Sequence, residues 1–266
     1  MKTYTTPAIF TCFSFCLLAF FISGTFISSA FASDREKEQR WAEQISDSLL
    51  DGEAIYLSDG KIDFLAIDTQ AEEPKETSII IIHGIGIHPD WPTIIQPLRV
   101  QLAEEGWNTL SLQMPILSND ANIDDYKPLM KEAPERIDAG IRYLAKNGAK
   151  KVVIIAHSLG SLMTAQYLAN KTLYQEDKSK TPIIAFIGIG MGKETAKSLN
   201  KIKLPILDLY GEKDLPAVIS SATLRMRAAE GNKSYKQIKV SNANHFFEDQ
   251  DDDLLKVVTE ALMKYP

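Results

Sequence analysis

The sequence predicts an α/β protein built on a mostly parallel eight-stranded sheet, opened by an antiparallel N-terminal hairpin and covered by helices on both faces. Three observations carry this. Short apolar runs alternate with segments of helical spacing from residue 54 to 266. Runs such as Ile79-Ile80-Ile81-Ile82 have no polar alternate, as in strands buried on both faces. The step Asp59-Gly60 separates the first two β-like runs, and glycine accepts the positive φ of a hairpin turn. With 266 residues, 45% of them hydrophobic, the chain suits one sizeable domain.

In chain order, charged residues with spaced Trp41, Ile45, Leu49 and Leu50 predict an amphipathic helix over 34–51. Ala54 to Leu57 and Ile62 to Ile67 form the hairpin, and Ile79 to Ile82 the first buried strand. Pro92 to Glu105 is helical, with Ile94, Ile95, Leu98, Val100 and Leu102 in phase, and stops at Gly106. Strands follow at Trp107 to Gln113, Lys151 to Ala156, Pro182 to Ile187, Pro205 to Leu209 and Tyr235 to Val240. Helices fall at Ala133 to Leu144, Ser158 to Asn170, Lys193 to Leu199, Pro216 to Ala229 and Asp251 to Tyr265. The stretch Ile116 to Lys131, with Asp120, Asp124 and Asp125, is the longest irregular connection and the expected mobile rim of a pocket.

The first 32 residues differ from the rest. After Lys2 no charge occurs until Asp34, and the intervening apolar stretch ends in Ser29-Ala30-Phe31-Ala32-Ser33. Small residues at the -3 and -1 positions of a cut after Ala32 predict a secretory signal peptide, rather than an anchor retained in the bilayer. Both cysteines, Cys12 and Cys16, belong to this leader, so the mature chain needs no disulfide. The expected organisation is a leader over 1–32, a helical segment over 33–53 packed on the domain, and the domain itself over 54–266. Export to the periplasm or beyond follows, with no stable membrane span once the leader is removed. A net charge of -6 argues against nucleic-acid partners.

In an open sheet of this kind the ligand crevice lies beyond the carboxyl ends of the strands. Four features fall there. Ser158 stands at a strand-to-helix corner in Ala156-His157-Ser158-Leu159-Gly160, flanked by small residues where the backbones pass closely. The bland alternative is a helix-capping serine. His83-Gly84-Ile85-Gly86 ends the Ile79 to Ile82 strand; its Ile85 amide, or alternatively that of Gly86, joins the Leu159 amide as an oxyanion donor. Here His83 supports the loop rather than acting as a base. Asp214, with Glu212 as substitute, could orient an imidazole, although an N-cap role before Pro216 competes. His245 follows the last strand and completes the chain order Ser…Asp…His; the rival His157 adjoins the serine and leaves the corner on another side. His88, Trp91, Met114, Met191 and Phe246 are expected around the pocket, His88 as a wall or structural residue.

Two other features carry no chemistry. The acidic run Glu248, Asp249, Asp251, Asp252 and Asp253 lacks calcium-loop spacing and suits a helix N-terminus, so no metal is expected. The glycines of Gly188-Ile189-Gly190-Met191-Gly192 fit a tight loop near the pocket, not a dinucleotide site, so no cofactor is expected.

Together these motifs resemble the α/β-hydrolase superfamily over about residues 54 to 266. More narrowly, His83 to Trp91 and Gly106 to Pro115 are similar to an exported bacterial subfamily of unassigned function. The resemblance implies a serine esterase-like hydrolase of a small-molecule acyl substrate, with nucleophile Ser158, acid Asp214 and base His245. Ala156 departs from the commoner glycine. No large insertion follows Ile187, where many members build a lid, which implies an open pocket for small or exposed esters. The competing readings are a non-catalytic binding protein on the same fold, and thioesterase, acyltransferase or peptidase chemistry on the same residues.

Overall fold

The computed structural model describes residues 1–3, 33–170 and 181–265. The chain divides into two units, Met1–Ala30 and Phe31–Pro266, and the second carries all that follows. The expected leader lies outside the described residues, apart from its first three positions. Among the described residues no helix is long and apolar enough to cross a membrane.

Strands β1 (Glu53–Ser58), β2 (Asp63–Thr69), β3 (Thr77–Ile82), β4 (Thr109–Leu112), β5 (Lys151–His157), β6 (Ile183–Ile189), β7 (Ile206–Gly211) and β8 (Tyr235–Val240) form an eight-stranded sheet ordered β1-β2-β4-β3-β5-β6-β7-β8. Strand β2 runs antiparallel to β1 and β4, and the remaining pairs are parallel. The hairpin turns at Gly60 with φ +89°, while the Asp59 carboxylate accepts the Lys61 and Ile62 amides at 2.8 and 2.9 Å.

Helices are α1 (Arg35–Ser48), α2 (Ile95–Glu104), α3 (Ala133–Lys146), α4 (Leu159–Ala169), α5 (Ala196–Leu199), α6 (Pro216–Ser220), α7 (Ala222–Ala228) and α8 (Asp251–Leu262). The two-residue period of β3 divides the core. Ile80 and Ile82 join Ile137 and Ile141 of α3 and Met163 of α4, whereas Ile79 and Ile81 join Leu98 and Leu102 of α2 and Leu254 and Val258 of α8. Each such side chain contributes about 1.5–3 kcal/mol by leaving water. Helix α1 is capped by Asp34, whose carboxylate accepts the Lys37 amide at 3.0 Å, and buries Ala42 and Ile45 against Leu65 and Ile67 of β2.

The observed elements differ from the expected ones most in three places. The helix expected from Pro92 begins at Ile95, because Ile94 takes φ +63°, a conformation β-branched residues rarely adopt. The helix expected over 216–229 is two. Ser221 breaks it by bonding back to the Ala217 and Val218 carbonyls at 2.6 and 3.1 Å, while Arg225 turns inward onto Asp208 at 2.7 Å. The connection expected to be irregular over 116–131 contains a 3₁₀ helix, Ile123–Lys131, that buries Tyr126 and Leu129.

Candidate active site

The parallel strands bring their carboxyl ends to one edge, and there β5 turns into α4 through Ser158. The turn is sharp: Ser158 has φ +53° and ψ -119°, a conformation costing about 1–3 kcal/mol that the surrounding fold must hold in place. Space enforces it, since a Cβ on Gly160 would lie 2.4 Å from the His83 carbonyl oxygen and 2.7 Å from that of Ile82. No side chain fits between α4 and the end of β3.

Ser158 Oγ lies 3.0 Å from His245 Nε2, and His245 Nδ1 lies 2.6 Å from Asp214 Oδ1. Asp214 is held by its own neighbourhood: Oδ1 also accepts the Leu215 amide at 2.7 Å, and Oδ2 that of Gly211 at 3.2 Å. Its side chain is fully buried. The substitute acid Glu212 points elsewhere, accepting the Asn242 amide at 3.1 Å and facing Lys239 at 3.6 Å. The hydrogen bond from Asn242 and the Lys239 charge keep its carboxyl below the usual range. Helix α6 is capped at Leu215, so Asp214 is not its N-cap residue. On the far side of the imidazole, Gly190 has φ +63°, and a Cβ there would come within 2.8 Å of His245 Cε1. The glycine run after β6 thus clears space for the histidine.

His157 does not compete for the serine. Its Nε2 donates to the His245 carbonyl at 2.9 Å, and burial holds its pKa down to about 3, so it is a neutral brace behind the His245 backbone. His83 is likewise neutral, pushed to about 3 by burial. The Met114 amide donates to its Nε2 at 2.9 Å, which leaves the proton on Nδ1 to be donated to the Gly84 carbonyl at 2.8 Å. It supports the loop, as its position after β3 suggests.

Leu159 is the first residue of α4, where an amide N–H has no intrahelical acceptor. Across the corner Ile85 is half-buried and Gly86 exposed with φ +71°. The Gly86 backbone is engaged by the Tyr126 hydroxyl, which also accepts the Leu117 amide at 2.9 Å. Burial raises the Tyr126 pKa, so the hydroxyl stays protonated.

Of the remaining expected residues, Phe246 stands half-exposed, its ring 5.3 Å from that of His157 and 5.4 Å from that of His245. His88 is sandwiched edge-on between Trp41 and Trp91, 5.2 Å from each, a structural stack with the Asp90 amide donating to its Nδ1. Met114 and Met191 are fully buried in the core. Met191 packs down onto Gly188, its sulfur occupying the space a Cβ would need.

Three residues of this surround are not apparent from motifs. Arg136 of α3 is fully buried and donates to Glu38 of α1 at 2.9 Å and to the Gln113 carbonyl at 2.9 Å. Burial pushes the Glu38 carboxyl up, and the Arg136 charge opposes that shift. Glu38 in turn accepts the Ile116 amide at 3.2 Å, and Lys37 donates to the Leu117 carbonyl at 2.8 Å. Helix α1 therefore holds the segment that carries Tyr126 to Gly86. An arginine within the apolar stripe Ala133, Ile137, Gly140, Ile141 is the available sequence signal for Arg136; nothing comparable marks Glu38 or Tyr126.

Known structures share this architecture at low identity. Est1E from Butyrivibrio proteoclasticus aligns with a TM-score of 0.63 and 16% identity over 79% of this chain and 98% of its own. The esterase Pf2001 of Pyrococcus furiosus gives 0.65 and 14% over 83% and 95%. XC6422 from Xanthomonas campestris, described as an α/β serine hydrolase without lid, gives 0.62 and 13% over 81% and 95%. The fold is therefore that of the α/β hydrolases. A search of curated proteins finds no match. The family model described as "Protein of unknown function (DUF3530)" matches residues 28–128 and 118–259, which together span most of the sequence, and the chain belongs to that family.

Proposed function

We propose that the protein is a serine hydrolase that cleaves a small or exposed carboxylic ester outside the cytoplasm. The observation that carries this is the continuous chain Ser158 Oγ to His245 Nε2 at 3.0 Å and His245 Nδ1 to Asp214 Oδ1 at 2.6 Å, raised on a strained turn at the strand ends. In the proposed reaction His245 Nε2 takes the Ser158 proton as Oγ attacks the acyl carbonyl. Asp214 accepts the Nδ1–H bond and favours the imidazolium. The Leu159 and Ile85 amides stabilise the oxyanion. The protonated imidazole then protonates the departing alkoxide, and water, activated by the same histidine, releases the acid from Ser158.

An ester of modest size is favoured by the connection between β6 and β7, which holds only a 3₁₀ turn, Lys193–Thr195, and the four-residue α5 where a lid could be inserted. Two of the similar structures, one described as an esterase and one as a serine hydrolase without lid, point the same way. Replacing Ser158 by alanine is expected to abolish hydrolysis of short p-nitrophenyl esters and labelling by a fluorophosphonate, with an unchanged melting curve. Retained turnover in Ser158→Ala rejects the reading, and faster hydrolysis of emulsified long-chain esters than of short ones rejects the open pocket.

A further inference from the structure

The position at which the sequence places the end of the leader is tucked into the fold. Ser33 is only 6% exposed. Its backbone N–H donates to Glu132 Oε1 at 3.3 Å, its carbonyl accepts the Arg35 amide at 2.9 Å, and its hydroxyl accepts from Arg136 at 3.5 Å. Next to it, the Asp34 amide donates to the Ile116 carbonyl at 2.7 Å. An internal peptide N–H carries no charge, yet here it meets a carboxylate.

The charges around Ser33 show what the pocket would accept. Asp34 and Glu38 come from α1, Glu132 from the start of α3, and Asp59 from the hairpin turn, 3.9 Å from Arg136. Arg136 is the buried cation among them. Lys37 turns its ammonium away, to the Leu117 carbonyl at 2.8 Å and Asn119 Oδ1 at 2.7 Å, and Arg35 is exposed. Glu132 is the carboxylate on the Ser33 nitrogen, while Arg136, already paired with Glu38, meets the Ser33 hydroxyl. Hydrolysis of the Ala32–Ser33 bond adds water, leaving a carboxylate on Ala32 and an α-ammonium on Ser33. That new cation would form a charge-assisted bond roughly twice as strong as an amide's.

We propose that Ala32–Ser33 is a processing site whose product, the α-ammonium of Ser33, is an internal ligand of Glu132 that fastens α1 to the domain. Removal of the leader then completes the structure as well as freeing it. Helix α1 bears Lys37, Glu38 and Trp41, which touch the connection after β4 and His88, so the fastened end lies one step from the candidate site.

The full-length chain, exported from a bacterial host and purified, is expected to have the intact mass of residues 33–266. The same chain with Gly-Ser inserted ahead of Ser33 carries its terminal charge two residues further out. At pH 7 the Ser33-initiated protein is expected to melt about 2–4 °C above the extended one. Pairing raises the folded α-amino pKa above its free value of about 7.7–8.0, so this advantage is present below pH 8 and disappears as pH rises to 10. Glu132→Gln is expected to remove the pH 7 difference between the two forms. A mature chain starting elsewhere, equal melting at pH 7, a difference persisting at pH 10, or one surviving Glu132→Gln would each overturn the proposal.

Discussion

The two flanks of Ser158 are held by different physics. On the His245 flank the work is steric and short-range. Gly160 and Gly190 leave no room for side chains, and the Asp214 carboxylate is fixed by amides one and three residues away. On the Ile85 flank the neighbouring connection after β4, residues 113–117, is tied by polar side chains from distant segments: Glu38 holds the Ile116 amide, Tyr126 the Leu117 amide and Arg136 the Gln113 carbonyl. A steric site tolerates changes of charge around it, whereas a buried polar network fails when one member is removed. The two flanks should therefore separate under mutation.

The largest separation is expected from Arg136→Met. Methionine fills similar space but leaves Glu38, with a side chain only 7% exposed, without its cation. Breaking such a pair costs about 3–5 kcal/mol, measurable by urea unfolding, and adding Glu38→Gln should recover part of it. Ester turnover should fall with the loop, while the downfield proton resonance of His245 Nδ1 should stay in place. Loss of that resonance together with activity would mean the flanks are one unit.

The same division explains what could be read in the sequence. Ser158 and Asp214 each follow a short apolar run, and His245 follows the mixed strand Tyr235–Val240, so position in the chain already implies the strand end, and order along the chain implies the grouping. The sheet was legible for the same reason: Ile79 to Ile82 and Val152 to Ala156 can hardly be anything but buried strands. The polar network leaves no such trace. Glu38 and Arg136 are separated by 98 residues and pair through the fold, and Tyr126 sits in a polar stretch that reads as a loose rim. Met114 and Met191, next in sequence to the candidate site, turn their side chains into the core.

Each flank contains one buried neutral histidine, His83 beside Ile85 and His157 behind His245, and both resist protonation. With folded values near 3 against an ordinary 6.5, the unfolded chain binds the extra proton between those limits, so stability falls as pH drops below about 6.5. By pH 5 each histidine should contribute about 2 kcal/mol of that loss. Glutamine at position 157 keeps a side-chain N–H for the His245 carbonyl but cannot take the proton. Urea unfolding of His157→Gln is expected to lose about 2 kcal/mol less than the parent between pH 7.5 and pH 5. An identical loss in both would assign the acid sensitivity away from His157.

The smallest change tests the Ile85 flank alone. Tyr126→Phe removes a single oxygen and leaves the 1%-exposed ring in its place. The Leu117 and Gly86 amides lose their acceptor, which costs about 1–2 kcal/mol, less than breaking the Arg136 pair. The kinetic effect should be larger than this stability change suggests. If Gly86 drifts, the neighbouring Ile85 amide no longer points at the developing oxyanion, and displacements of this size cost about 10- to 100-fold in rate. Because the oxyanion exists only after attack, the loss should appear in kcat with KM little changed. A parallel rise in KM would instead place Tyr126 in substrate binding, and unchanged kinetics would show that the Ile85 loop holds its position without the hydroxyl.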